Sequence, residues 1–321
     1  MVGKDVDVNN FLRSYDFVNP YEQVIKVSSH DVLAYVTPWN SKGYEKAEFF
    51  ANKFTIIAPV WFQLKPFAYE IIGYQDFDRK WIEKVKAVKD DVKFAPRVIF
   101  EDWGAGDYQR MLSIDKNRID CIRTLRAFVK TNAFDGLTLE VWMQHFGTSQ
   151  NILIDFLIEL AKGLHADGKI LILPIPPSVY KGNLEGRFGK THFDMLVNYI
   201  DFFSLMTYDY SNPSAPGENA PISWATQCVK NLVPDENGGK HPSTKRAKIL
   251  LGVNFYGYDY EPAKRQGRAV LSHEDDSQVN HSLFFPTAYS VARRVAIAEE
   301  LGVGLSIWEI GQGFDSLFEQ L

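Results

Sequence analysis

The chain has 321 residues, 45% of them apolar and 14% aromatic, with 35 Lys and Arg set against 40 Asp and Glu for a formal net charge of -5. That length and apolar share suffice for one large core, while the absence of any basic run argues against a nucleic-acid or anionic-membrane surface. Apolar runs such as Ile170 to Pro177 fall far short of the roughly 20 residues that a spanning helix needs, so no membrane insertion is expected.

Residues 1–31 read as a polar extension with no apolar h-region, and so with no visible secretory signal. From Val32 onward short apolar runs alternate with helical-period segments. Strands are predicted at 32–38, 55–64, 94–101, 134–142, 169–176, 201–209, 248–256 and 304–309. Most are continuously apolar, as strands covered on both faces must be. Helices are predicted at 43–53, 79–90, 116–132, 149–167, 191–199, 222–232 and 287–301, where apolar residues recur every three or four positions. In one of them Leu153, Phe156, Leu157, Leu160 and Leu164 form a single stripe, Ser149 opens the helix and Gly168 closes it. Eight β-α rounds imply an α/β chain folded as one (β/α)8 TIM barrel over residues 32–321. Residues 258–285, rich in charge and poor in periodicity, are expected to form an exposed excursion after strand seven.

No cofactor or metal is expected. Cys121 and Cys228 lack metal-ligand spacing and read as packed free thiols. His273, Glu274, Asp275 and His281 have no defined ligand pattern and read as a solvated charge run. The sequon Asn280-His281-Ser282 carries weight only in a secreted protein.

Barrel enzymes carry their chemistry at the C-terminal ends of the strands. Those ends here supply Tyr35, Trp39, Trp61, Gln63, Glu101, Trp103, Glu140, Trp142, Met206, Tyr208, Asp209, Asn254, Tyr256, Trp308 and Glu309. Flat aromatic faces beside a few hydrogen-bonding groups suit a pyranose, which offers an apolar face and a rim of hydroxyls. An oligosaccharide cleft is therefore expected. Aromatic plugs at the top of a barrel are the plainer explanation for any one of these rings, and the repetition over seven strand ends outweighs it.

The segment from Phe134 to Trp142, Phe-Asp-Gly-Leu-Thr-Leu-Glu-Val-Trp, resembles the fourth-strand signature Asp-Gly-x-Asp-x-Asp-x-Glu of family-18 glycoside hydrolases, the chitinases. Met206-Thr207-Tyr208-Asp209 is similar to the family's sixth-strand motif, and Gly252 to Gly257 to its seventh. Tyr35 to Trp39 and Ser306-Ile307-Trp308 are similar to its first and eighth. The resemblance implies a TIM barrel that binds chito-oligosaccharides or related glycans, with a tryptophan at 308 flooring the sugar pocket. It also implies a short or missing α+β insertion after strand seven. More narrowly, Phe100 to Trp103 and Ser306 to Glu309 are similar to a chitinase-like branch of the family. That branch implies a secreted or lysosomal setting and a scavenger-type receptor as a partner.

Within the signature, the position of the family's proton-donating glutamate holds Trp142 and the inner aspartate position holds Thr138. Glu140 stands where the acetamido-orienting aspartate would be. Strand alternation is expected to point Thr138, Glu140 and Trp142 to the same inward face. An indole has no proton to give at working pH, so the expectation is a non-catalytic lectin. Two alternatives stand beside it: a weak glycoside hydrolase that uses Glu140 or Glu309, and a receptor-binding scaffold with a vestigial cleft.

Overall fold

The computed structural model describes residues 28–321 except 67, 146–149, 236–242 and 271–281. The N-terminal extension up to residue 27, Ser149, Asn280 and His281 of the sequon and the His273–Asp275 run therefore lie outside the described residues.

Eight parallel runs build the sheet. They are β1 (Val32–Val36), β2 (Ile56–Pro59 and Phe62–Leu64), β3 (Lys93–Phe94 and Arg97–Phe100), β4 (Gly136–Glu140), β5 (Ile170–Ile175), β6 (Phe202–Leu205), β7 (Ile249–Asn254) and β8 (Gly304–Trp308). Each pairs in parallel with the next, and β1 pairs with β8 through Val32 and Leu305, so the sheet curls into an α/β barrel. Runs two and three are each broken in the middle, contrary to the uninterrupted strands predicted. The first half of β2 pairs with Lys93–Phe94 and the second with Arg97–Phe100. Pro59 and Pro96 stand at the breaks, and a residue without an N–H cannot continue a ladder donation.

The outer wall is helical: α1 (Lys42–Phe49), α2 (Arg79–Val88), α3 (Ala105–Ser113), α4 (Asp115–Thr131), α5 (Gln150–Ala166), α6 (Lys190–Leu196), α7 (Ile222–Leu232) and α8 (Ala288–Leu301). Helix α3 is the one that periodicity did not single out. The α5 stripe is buried as its spacing requires, and Gly168, at φ +70°, ends the turn behind it.

The apolar residues divide into two layers. Between sheet and helices lies the larger core, and inside the barrel lies a smaller one formed by Leu33, Tyr35, Ile56, Ala58, Val60, Ala95, Ile172 and Leu250. Gly136 lets β4 approach β5, since a Cβ there would stand 2.5 Å from the Ile170 carbonyl oxygen. Three polar side chains join strands across the interior: the Tyr35 hydroxyl donates to Ser204 Oγ at 3.0 Å, and Ser204 shares a 2.8 Å bond with Ser306.

The segment expected as an irregular excursion contains a three-stranded antiparallel sheet made of Gly257–Glu261, Gln266–Val270 and Ser282–Phe284. Alternate tyrosines drive it. Tyr256, Tyr258 and Tyr260 share a face, Tyr258 and Tyr260 stack at 5.3 Å, and Tyr260 is fully buried. The charges of this segment had masked that period of two. Cys121 and Cys228 are both buried free thiols. Among the described residues no three His, Cys, Asp or Glu side chains gather as a metal set, and no helix is long and apolar enough to cross a membrane.

Candidate active site at the barrel mouth

The inner face of β4 sets the chemistry. Thr138 is fully buried and its hydroxyl donates to the Ala95 carbonyl at 2.8 Å, so it plugs the barrel beneath the mouth. One pleat higher, Glu140 is half-buried and makes a 2.6 Å ion pair from Oε2 to Arg97 Nε, while Gln144 donates to Oε1 at 2.9 Å. Arg97 is in register with Thr138 and so faces the interior on the neighbouring strand. A carboxylate with a cation and an amide on its two oxygens is held in one orientation.

Above Glu140 stands Tyr208. Its hydroxyl lies deep in protein, which raises its pKa well above the usual phenol value, and the nearby Tyr35, Glu140 and Asp209 raise it further. Asp209 follows in a left-handed backbone conformation, φ +59°. Asn219 holds that turn by accepting from the Asp209 backbone N–H at 2.8 Å, and its own amide reaches Asp209 Oδ1 at 3.4 Å. The Tyr256 hydroxyl donates to the same oxygen at 2.5 Å. Although the residue as a whole is exposed, its carboxyl is crowded by protein, and that desolvation raises its pKa in spite of both hydrogen bonds.

Trp308, at the end of β8, is half-buried and packs on Tyr35 with ring centroids 5.2 Å apart. Trp39, on the loop after β1, is 69% exposed. Glu101 pairs with Lys65 at 3.4 Å, and Trp103 donates to the Leu64 carbonyl at 2.7 Å while stacking on Tyr69. Met206 is half-buried, and Asn254 is buried with its amide on the Tyr256 carbonyl at 2.8 Å.

Three expected site residues lie elsewhere. Trp61 is buried among Tyr44, Phe77 and Trp81, and its indole N–H meets the Tyr44 hydroxyl at 2.6 Å; it belongs to the layer under the helices, since Ile56, Ala58 and Val60 face the interior and alternation turns position 61 outward with Ile57. Trp142 does not continue the inward ladder. The strand stops at Glu140, residues 142–144 turn, and the indole packs on Phe188 and His192 while donating to the Arg187 carbonyl at 3.2 Å. Glu309 is 1% exposed and closed beneath α1, its oxygens taken by Asn40 at 2.8 Å and by the Gly311 N–H at 2.9 Å. Burial pushes its pKa up to about 7 against those hydrogen bonds and the Lys46 charge. It caps the turn at residues 310–312 instead of facing a ligand.

Sequence reasoning missed Arg97, Gln144 and Asn219. For Arg97 a signal was present, a lone charge in the otherwise apolar run from Phe94 to Phe100. Asn219 sits in a loop where nothing in the pattern distinguishes it.

A curled α/β barrel whose strand ends gather aromatic rings and two differently held carboxyls is the frame of a carbohydrate-active protein. Residues 31–313 match the family described as glycosyl hydrolases family 18, and the chain belongs to that family. It is 24% identical over 168 residues to the cortical fragment-lytic enzyme of Bacillus anthracis, a match covering 41% of this chain and 36% of that protein. The chain thus spans well under two thirds of the length of such relatives. Among solved structures, a chitinase from Chromobacterium violaceum superposes with TM-score 0.71 at 18% identity, covering 91% of this chain and 98% of that one. A catalytic domain of the Ostrinia furnacalis group II chitinase, in complex with penta-N-acetylchitooctaose, gives 0.69 at 20% identity over 91% and 95% of the two chains. These relatives correct the expectation of a non-enzyme. The curated relatives are named as lytic enzymes, and the chain shares their family, which overturns the non-catalytic expectation.

Proposed function

We propose that the chain is a glycoside hydrolase of N-acetylhexosamine glycans in which Glu140 is the partner of the reacting acetamido group and Asp209 donates the proton. The observation that carries this reading is the pair of unlike carboxyls around Tyr208: one held by a guanidinium, the other desolvated. A carboxyl fixed in orientation by a cation, beside one whose burial favours its protonated form, offers the two roles that acid–base work at one bond requires.

In this scheme the sugar ring stacks on Trp308, and Trp39 offers a second exposed face for a neighbouring unit. The substrate's acetamido oxygen attacks the anomeric carbon while the glycosidic oxygen leaves with the Asp209 proton. The carboxylate of Glu140 stabilises the cationic oxazolinium through its fixed negative charge. Water then opens the oxazolinium and returns a proton to Asp209. Arg97 and Gln144 hold both oxygens of Glu140 in one orientation, which suits it to stabilising a cation beside it, while Glu309 lies enclosed beneath α1. The comparison proteins support glycan cleavage as the class of activity, and the chito-oligosaccharide in the Ostrinia complex supports the class of ligand.

Within the family, Tyr35 to Asn40, Phe100 to Trp103 and Ser306 to Glu309 resemble chitinase domain-containing protein 1. A secreted or lysosomal setting and a scavenger-type receptor belong to this proposal on that resemblance. Imaging of the tagged full-length protein in its own cells tests the setting. The activity is tested by incubating the protein with chito-oligosaccharides and with peptidoglycan fragments and following new reducing ends. Release of reducing ends that is lost in Glu140→Gln is expected. Binding of both probes without cleavage of either refutes the proposal.

A further inference from the structure

On the far side of the Asp209–Asn219 link lies a cleft of about 330 Å³ between the end of β7, the antiparallel insertion and the start of α8. Its floor is Asn219 and Asn254, the two amides that also brace the mouth. Phe284, Phe285 and Tyr289 form its apolar walls. Two cations face it, Arg293 and Arg294.

The state of those cations carries the inference. Arg294 donates from Nη1 to the Ser290 carbonyl at 2.8 Å and from Nη2 to the Ala220 carbonyl. Both partners are neutral, and among the described residues no carboxylate lies within ion-pair distance of it. Burial lowers its pKa from the usual guanidinium value, opposed by the more distant Glu218. Arg293 is exposed at the same rim, again with no ion pair among the described residues. A desolvated guanidinium fixed by carbonyls and left without a counter-charge is an unfavourable arrangement unless an anion arrives to meet it. Among the described residues Glu218 is the single acid on the lining, set against the two arginines.

We propose that this cleft binds a sugar unit bearing a carboxylate, with Arg293 and Arg294 taking the carboxylate and the Phe285 and Tyr289 rings taking the pyranose face. Amides shared with the mouth place the acidic unit next to the sugar held on Trp308. The proposal deepens the reading of the mouth as a glycan site and rests on it. Two sources have this chemistry, a lactyl ether on an N-acetylhexosamine and a uronic acid.

The test measures calorimetric affinities for chitotetraose, for a tetrasaccharide alternating N-acetylglucosamine with N-acetylmuramic acid, and for a hyaluronan tetrasaccharide. At least one acidic probe is expected to bind about tenfold or more tightly than chitotetraose, and the one that does identifies the source. That advantage is expected to shrink in high salt and to fall below about threefold in Arg293→Gln, with chitotetraose affinity unchanged. Arg294→Lys, checked for folding by thermal melting, keeps the charge without the fork and is expected to lose most of the advantage as well. Acidic probes that bind no better than chitotetraose, or a preference retained in both variants, overturn the proposal. Failure of the mouth reading is seen separately, as a wild-type protein that binds no chitotetraose.

Discussion

Asp209→Asn isolates the proton. The replacement keeps Oδ1 as acceptor for the Tyr256 hydroxyl at 2.5 Å and for the Asn219 amide, so the left-handed turn and the shape of the mouth persist. What disappears is the titrating oxygen. Loss of a positioned general acid costs on the order of a hundred- to ten-thousandfold in rate, about 3–5 kcal/mol of barrier. Ground-state binding loses at most one hydrogen bond of about 1 kcal/mol, roughly a fivefold change in affinity. Activity requires the protonated form, so the wild-type rate should fall as pH rises through the raised pKa of Asp209. In the variant that limb should vanish. An aryl glycoside, whose leaving group departs without protonation, should recover most of the lost rate. A variant that cleaves the natural linkage within threefold of wild type, or that keeps the alkaline limb, would refute the assignment of Asp209 as the acid.

Trp308→Ala should weaken chito-oligosaccharide binding at least tenfold while leaving the melting temperature within a few degrees, because the ring ends β8 partly exposed and packs on Tyr35 from one side; equal affinity removes Trp308 from the site. Glu309 has a folded pKa raised to about 7, above its value in the unfolded chain, so the stability associated with its protonated form is present at low pH and is lost as pH rises from about 4.5 to 7. Glu309→Gln should flatten that slope and stabilise the protein above pH 7 by up to about 3 kcal/mol, at 1.36 kcal/mol per unit, as read from denaturant melts at several pH values. Trp142→Glu should create no new acid, because position 142 packs on Phe188 and His192 beneath the mouth. It should instead destabilise by about 3 kcal/mol or more through a lost ring and a buried carboxyl; a stable, more active variant would show that the side chain turns inward.

The sequence made the parallel sheet legible because its strands are covered on both sides and leave continuous apolar runs between helical stripes. The mouth was legible where a residue ends an intact strand, as with Glu140 and Trp308. It failed where the backbone departs from a simple pleat. The turn after Glu140 sends Trp142 away from the position that alternation predicts. Trp61 was expected at the mouth for its nearness to a strand end, although its own alternation, in phase with Ile57, points it outward. Partners contributed by a neighbouring strand, such as Arg97 for Glu140, are a property of register, which one strand's residues do not encode. The insertion sheet was hidden because abundant charges on Gln266–Val270 and its flanks obscured the tyrosine alternation on the strand beside it.

The bond between β1 and β8 has a consequence for biogenesis. Val32 pairs with Leu305, and the Tyr35 hydroxyl completes its chain only when Ser204 and Ser306 have both arrived. During synthesis from the N-terminus β1 can dock against β2, yet its other edge stays open until Gly304–Trp308 has left the ribosome. A five-residue strand with every side chain buried in the finished protein must wait in water meanwhile, an adhesive edge in the nascent chain. The last strand is therefore the lock of the fold, and ribosome-bound chains halted before Gly304 should be protease-sensitive throughout, while chains released past Trp308 acquire protection in one step.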